Sequence, residues 1–148
     1  MKNKILIVGG AGYIGGFLTD CLLENKYNVT VYDNLLFENR FLKDCDFVYG
    51  DIRDYDKLSK IIYNYDCVIW LAGLVGDGAC AVNQKLTKTL NVDTVKWLVD
   101  NYSGKIIFPS TCSVYGINKV GALPRVTFPG PPHLGLDGVS NENRININ

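Results

Sequence analysis

Four apolar residues, Ile5-Leu6-Ile7-Val8, run directly into Gly9-Gly10-Ala11-Gly12-Tyr13-Ile14-Gly15-Gly16. No other stretch narrows the possible folds so far. A short, wholly apolar run suits a strand buried on both faces, as in a parallel sheet covered by helices. The glycines satisfy G-x-G-x-x-G from Gly10 and the wider G-x-x-G-x-x-G through Gly9, Gly12 and Gly15. Such a run makes a tight turn with bare backbone. Ile14, Phe17, Leu18, Cys21 and Leu22 then recur at helical spacing, which predicts a helix ending near Asn25.

The same alternation continues. Val29-Thr30-Val31-Tyr32 and Phe47-Val48-Tyr49 read as second and third strands, and Leu58, Ile61 and Ile62 mark a helix after Asp54. Cys67-Val68-Ile69-Trp70-Leu71 reads as a fourth strand. Val82, Leu86, Leu90 and Leu98 mark one long helix stopped at Gly104, and Lys105-Ile106-Ile107-Phe108 is a fifth strand. Strands alternating with helices predict an α/β domain with a doubly wound parallel sheet over residues 1–116. Residues 117–148 differ in texture: they hold four of the five prolines and none of the nine tyrosines. Pro129-Gly130-Pro131-Pro132 stops either regular structure, so this stretch is expected to be an irregular tail, frayed at its end.

Composition removes several classes. A chain of 148 residues suits one domain with a sizeable core. Fifteen basic against fifteen acidic residues leave no net charge, which argues against a nucleic-acid binder and its basic patch. No apolar run reaches the roughly 18 residues of a membrane span. The first residues carry too short an apolar stretch for a signal peptide. A cytoplasmic domain is expected. The cysteines Cys21, Cys45, Cys67, Cys80 and Cys112 form no C-x-x-C pair and have no nearby histidine, which predicts reduced thiols and no metal site.

The glycine turn carries the chemistry. Bare backbone between a strand and a helix can touch a pyrophosphate, while the helix N-terminus offers N–H donors and a positive dipole end. Asp33 closes the second strand eighteen residues after Gly15. An acid near that offset takes the ribose hydroxyls of a dinucleotide and repels the extra phosphate of NADP. Asn34 and Leu35 follow it, with no adjacent arginine to welcome that phosphate. NAD is the expected cofactor.

The glycine spacing, Asp33, Gly50-Asp51-Ile52-Arg53-Asp54, Leu71-Ala72-Gly73 and Ser110-Thr111-Cys112-Ser113-Val114-Tyr115-Gly116 occur in that order. As an ordered set they resemble the extended short-chain dehydrogenase/reductase family, in particular its NAD-dependent nucleotide-sugar epimerases, typified by UDP-glucose 4-epimerase. The resemblance covers residues 1 to about 116 and implies an NAD(P)-binding Rossmann-type fold. It implies that Gly9, Gly12, Tyr13, Ile14 and Gly15 hold the pyrophosphate, with Asp33 and Asn34 at the ribose. It places Asp51 and Ile52 at the adenine, and Leu71, Ala72 and Gly73 near the ribose and nicotinamide. Asn91 matches a position that hydrogen-bonds in the cofactor region. Thr111 matches the catalytic Ser or Thr, whose hydroxyl bonds the reacting sugar oxygen while a tyrosine exchanges its proton. Related dehydratases follow that Thr with an Asp-Glu pair; Cys112-Ser113 stands here, so a dehydratase fragment ranks below an epimerase.

The pattern then departs from the family. Its Tyr-x-x-x-Lys belongs around Leu136, where there is no tyrosine, and Lys119 is the last lysine. Tyr115 to Lys119 fits the string, but Tyr115 belongs to the turn after the fifth strand, and Gly116 is a poor start for a helix. His133 stands alone among prolines and is expected to be exposed. The expectation is therefore a truncated or frame-shifted chain lacking the substrate domain, inactive by itself toward its nucleotide sugar. A non-catalytic NAD sensor or scaffold is the rival reading. Family members often dimerise through two helices; only the first, around residues 82–101, is recognisable, which argues against a native-like homodimer.

Overall fold

The computed structural model of the chain describes residues 3–110. Five parallel strands form one sheet in the order β3-β2-β1-β4-β5. They are β1 (Lys4–Val8), β2 (Asn28–Asp33), β3 (Asp46–Tyr49), β4 (Cys67–Trp70) and β5 (Lys105–Ile107). In register, Ile5 to Val8 of β1 face Val29 to Tyr32 on one side and Cys67 to Trp70 on the other. The chain moves outward through β2 and β3, then crosses back to place β4 against β1. That reversal makes β1/β4 the switch point, where a doubly wound sheet opens a crevice beyond the carboxyl ends of its strands.

Alternation along the strands builds a core on each face. Leu6, Val8, Tyr32, Val68, Trp70 and Ile106 point to one side. There they meet Leu58 of α2 (Tyr55–Ile61) and Leu98 of α5 (Thr94–Asn101). Ile5, Ile7, Val29, Val31 and Ile69 point to the other, under Leu18, Leu22 and Leu23 of α1 (Tyr13–Glu24). Strands β1, β2 and β4 are thus covered on both faces, which is why their sequences read as continuous apolar runs.

Two helices differ from their sequence patterns. In α1 the fully buried residues are Gly15 and Thr19, whereas Ile14 and Phe17 are 66% and 74% exposed. The reason is the tight crossing over the glycine turn: a Cβ on Gly15 would meet the Gly10 Cα at 2.5 Å, so only glycine lets the helix come so close. The expected single helix from Val82 is broken. Val82 ends a separate α3 (Asp77–Val82) and is 87% exposed. Asn83 leaves the helical region and accepts a hydrogen bond from the Leu86 N–H at 2.9 Å, capping α4 (Gln84–Lys88). Asparagine bonds readily to nearby backbone, which favours a cap over a helix interior. From α4 the chain widens into a π-helical turn at Thr89–Asp93 and re-enters α5, which ends at Asn101, short of Gly104. Gly104 instead lies under the Tyr102 ring, where a side chain would collide.

Cys67 is buried, and Cys21, Cys45 and Cys80 are half-buried; all four are free thiols. Burial pushes the Cys45 and Cys67 thiols up, so both stay protonated near neutral pH. Among the described residues no helix is long and apolar enough to cross a membrane, and no group of three His, Cys, Asp or Glu could hold a metal.

Candidate functional site

The site grows from the end of β1. The Gly9 N–H donates to the Tyr32 carbonyl at 2.8 Å, and the Leu71 and Ala72 N–H groups both donate to the Val8 carbonyl, at 2.7 and 2.9 Å. These bonds pull the turn after β1 and the segment after β4 together. Gly9 has φ +84°, and a Cβ there would meet the Ala72 nitrogen at 2.5 Å. Gly10 lies against the Val31 methyls, where a Cβ would approach within 2.8 Å, and Gly15 lies against Gly10. Packing within the protein explains all three.

Gly12 is different. Its φ of −71° and ψ of 175° suit any residue, and a Cβ would meet only the Gly9 carbonyl oxygen, at an ordinary 3.6 Å. Nothing among the described residues asks for glycine there. The position is also the N-cap of α1, where Ser, Thr, Asp or Asn usually supplies a side-chain cap; here none does, and the first turn holds no acid. The first helical bond runs from the Gly16 N–H to the Gly12 carbonyl at 2.8 Å. The N–H groups of Tyr13, Ile14 and Gly15 therefore have no intrahelical acceptor. An uncapped N-terminus with an open cradle at its cap is suited to an anion.

A second cluster adjoins it at the ends of β2 and β3. Asp33 is half-buried. Its Oδ2 accepts from the Ala11 N–H at 3.0 Å and its Oδ1 from the Leu35 N–H at 2.8 Å. The acid thus fastens the middle of the glycine turn to the end of β2. Asn34 takes the Leu36 N–H on its side-chain oxygen. From the Asp33 carbonyl a hydrogen bond accepted from the Gly50 N–H leads to Asp51, whose own carbonyl accepts the Tyr32 hydroxyl at 2.8 Å. Ile52 is buried beside it. Hydrogen bonds from the Arg53 side chain hold the Asp51 carboxyl below its usual range, with Asn34 adding to the effect, so it is an ionised acceptor near neutral pH.

On the far side of the turn, Leu71, Ala72 and Gly73 follow β4. Asn91, at the centre of the π-helical turn, grips the next residue at both backbone groups: its Oδ1 accepts from the Leu74 N–H and its Nδ2 donates to the Leu74 carbonyl, each at 2.7 Å. The same Oδ1 would stand 3.1 Å from a Cβ on Gly73. Single-turn π-bulges of this kind frequently mark functional sites. Here the bulge turns Asn91 onto the segment beside Gly9.

The residues singled out in sequence, Gly9, Gly12, Tyr13, Ile14, Gly15, Asp33, Asn34, Asp51, Ile52, Leu71, Ala72, Gly73 and Asn91, all lie at the carboxyl ends of strands or in helix turns packed there. Thr111, with Tyr115, Lys119 and His133, lies outside the described residues. Three contributors escaped the sequence reading: Ala11, as donor to Asp33; Tyr32, as donor to Asp51; and Arg53. Only the last leaves a local signal, an Asp and an Arg two residues apart after a strand.

A profile of the NAD dependent epimerase/dehydratase family matches residues 5–131. The bifunctional UDP-glucose 4-epimerase and UDP-xylose 4-epimerase 1 of Pisum sativum is 32% identical over 138 residues, a match covering 78% of this chain and 38% of that one. The crystal structure of UDP-glucose 4-epimerase from Brucella ovis in complex with NAD superposes with a TM-score of 0.72 at 32% identity, covering 78% of this chain and 38% of the other. UDP-glucose 4-epimerase from Thermotoga maritima, solved with UDP-glucose, gives 0.69 at 27% identity and covers 78% and 40%. The chain thus spans somewhat over a third of the length of these relatives. A five-stranded parallel sheet with its glycine turn at the switch point, and a family match over most of its length, lead to one conclusion: the chain belongs to the NAD dependent epimerase/dehydratase family.

Proposed function

We propose that residues 1–116 are the NAD-binding portion of a cytoplasmic nucleotide-sugar epimerase. The observation that carries this reading is Gly12: a glycine unexplained by packing, at an uncapped helix N-terminus. Backbone N–H groups of Tyr13 and Ile14 meet the pyrophosphate there. Asp33 accepts the ribose hydroxyls on the lone pairs left beside its two backbone bonds, and its charge repels the additional phosphate of NADP. Asp51 and Ile52 take the adenine. Leu71, Ala72 and Gly73 let the dinucleotide lie close to the backbone, with Asn91 keeping that segment in place. NAD supplies reversible hydride transfer, by which a sugar hydroxyl is oxidised and restored with the opposite configuration. In the family pattern Thr111 hydrogen-bonds that hydroxyl. The similarity to UDP-glucose 4-epimerases supports a UDP-sugar as substrate class.

Turnover needs a general acid–base, and the family's Tyr-x-x-x-Lys is missing from its expected place near Leu136. Such a group contributes typically about 10²–10⁴-fold. The 148-residue chain by itself therefore binds NAD without interconverting UDP-glucose and UDP-galactose. Calorimetry with NAD and NADP, followed by a turnover assay, tests both statements. The expected outcome is tighter binding of NAD than of NADP and no turnover. Equal affinities would remove the role given to Asp33, and absence of NAD binding by folded protein would overturn the proposal. Turnover would make Tyr115 and Lys119 the residues to mutate.

A further inference from the structure

The π-helical turn that carries Asn91 is completed by a hydroxyl. In an α-helix the Thr94 N–H would donate to the Leu90 carbonyl, four residues back. It donates instead to the Thr89 carbonyl, five residues back, which takes from the Leu90 carbonyl its usual donor. Thr94 Oγ1 fills that place and donates to the Leu90 carbonyl at 2.7 Å. Thr94 is fully buried, where a hydroxyl needs a partner. A second bond spans the same turn: Lys88 Nζ donates to Asp93 Oδ1 at 2.7 Å, five residues on. On an α-helix the facing neighbours are three and four residues apart, so this pair also suits the wider turn.

We propose that Thr94 is a positioning residue of the cofactor crevice: its hydroxyl holds the turn in π register, and that register brings Asn91 onto Leu74. The inference rests on the NAD reading above, in which the segment after β4 lines the cofactor. Leu98, fully buried in the core with Leu6 and Val68, pins α5 to the sheet. A change of register therefore moves the turn and α4, and leaves α5 in place. Without the hydroxyl, the Leu90 carbonyl recovers the Thr94 N–H and the extra residue leaves the turn. One residue of α-helix is about 100° of rotation and about 1.5 Å of rise. Asn91, at the centre of the turn, cannot keep two 2.7 Å bonds to Leu74 through such a shift. The segment after β4 then loses its clamp beside Gly73, and the cofactor meets a looser wall.

Hydrogen exchange without ligand and calorimetry with NAD, on the same variants, test this. Thr94→Val keeps the side-chain shape and removes the hydroxyl. It should raise the exchange rate at Leu74, relative to that at Leu6, at least about fivefold, the scale of two hydrogen bonds. NAD affinity should fall at least about threefold, the scale of ordering a freed group on binding. Thr94→Ser keeps the hydroxyl and should exchange and bind as the unaltered chain does. Thr94→Val combined with Asn91→Leu should match Asn91→Leu alone within about twofold, because both act through one clamp. Thr94→Ala serves if the Val variant fails to fold. An unchanged Leu74 to Leu6 ratio in folded Thr94→Val or Thr94→Ala overturns the proposal. So does serine behaving as valine, or an additive double variant, which is the result for a hydroxyl that only stabilises the core. A raised ratio with unchanged NAD affinity overturns the role at the cofactor and leaves the NAD reading intact. If the folded, unaltered chain binds no NAD, the NAD reading falls and takes this inference with it.

Discussion

Gly12→Asp separates binding from folding because the two effects have opposite signs. In the structure Gly12 is the N-cap of α1, with backbone angles open to any residue and room for a side chain. Asp is among the best N-cap residues, and the change from Gly gains a few tenths of a kcal/mol. A carboxylate at the positive end of the helix adds about 0.3–1 kcal/mol more. The variant should therefore melt at or above the temperature of the parent. Its carboxylate occupies the cradle proposed for the pyrophosphate, displacing at least one charge-assisted N–H bond worth about 1.5–3 kcal/mol. NAD affinity then falls at least about tenfold, with like-charge repulsion adding to the loss at low salt. Gly12→Val fills the same cradle without charge and weakens NAD by a similar factor, at a modest stability cost. Gly9→Ala provides the contrast. With φ +84° and the Ala72 backbone 2.5 Å from its Cβ, it destabilises the fold by more than about 1–2 kcal/mol whether or not NAD is present. Thermal melts and calorimetry on the same preparations read both quantities. Folded Gly12→Asp binding NAD as tightly as the parent would refute the anion-site argument.

Two further expectations concern stability. Burial, with Asp54 and Asp51 nearby, raises the Tyr32 hydroxyl from 10.0 to about 12, and burial with Cys67 and Asp66 does the same for Tyr102. Each stays protonated in the fold after the unfolded chain has ionised, so their stabilisation is complete below pH 10.0 and is lost as pH rises toward about 12. Urea midpoints should fall over that window, and Tyr32→Phe, costing about 1 kcal/mol at neutral pH, should make the fall shallower; an unchanged slope counts against the assignment. Asn91→Leu removes both bonds to Leu74, costing about 2 kcal/mol and loosening the segment after β4, so hydrogen exchange at Leu74 should quicken while that at Leu6 does not.

The order of elements was legible in the sequence because each strand of a doubly covered sheet is a short apolar run, and burial on both faces writes that pattern directly. Ile5 to Val8, Val29 to Tyr32 and Cys67 to Trp70 are the clearest cases. The site was legible where backbone chemistry demands a residue type in one place, as with the glycine turn and Asp33. The helices after β4 were less so. Leu86, Leu90 and Leu98 keep helical spacing through a π-helical turn, and only the local preference of Asn83 for capping separates Val82 from them. Periodicity reports a face; it does not report where hydrogen bonding changes step. What the sequence determined by itself is the strand–glycine–helix unit, its acidic partner and membership of a dinucleotide-binding class, since those rest on neighbours along the chain. The tertiary structure alone decided which glycines serve packing and which one packing leaves unexplained. It also decided that Asp33 ties the turn to β2, and that Arg53 and Tyr32 hold Asp51 from side chain and backbone. Those facts depend on what the sheet brings within 3 Å from separate strands, and no spacing in one dimension encodes them.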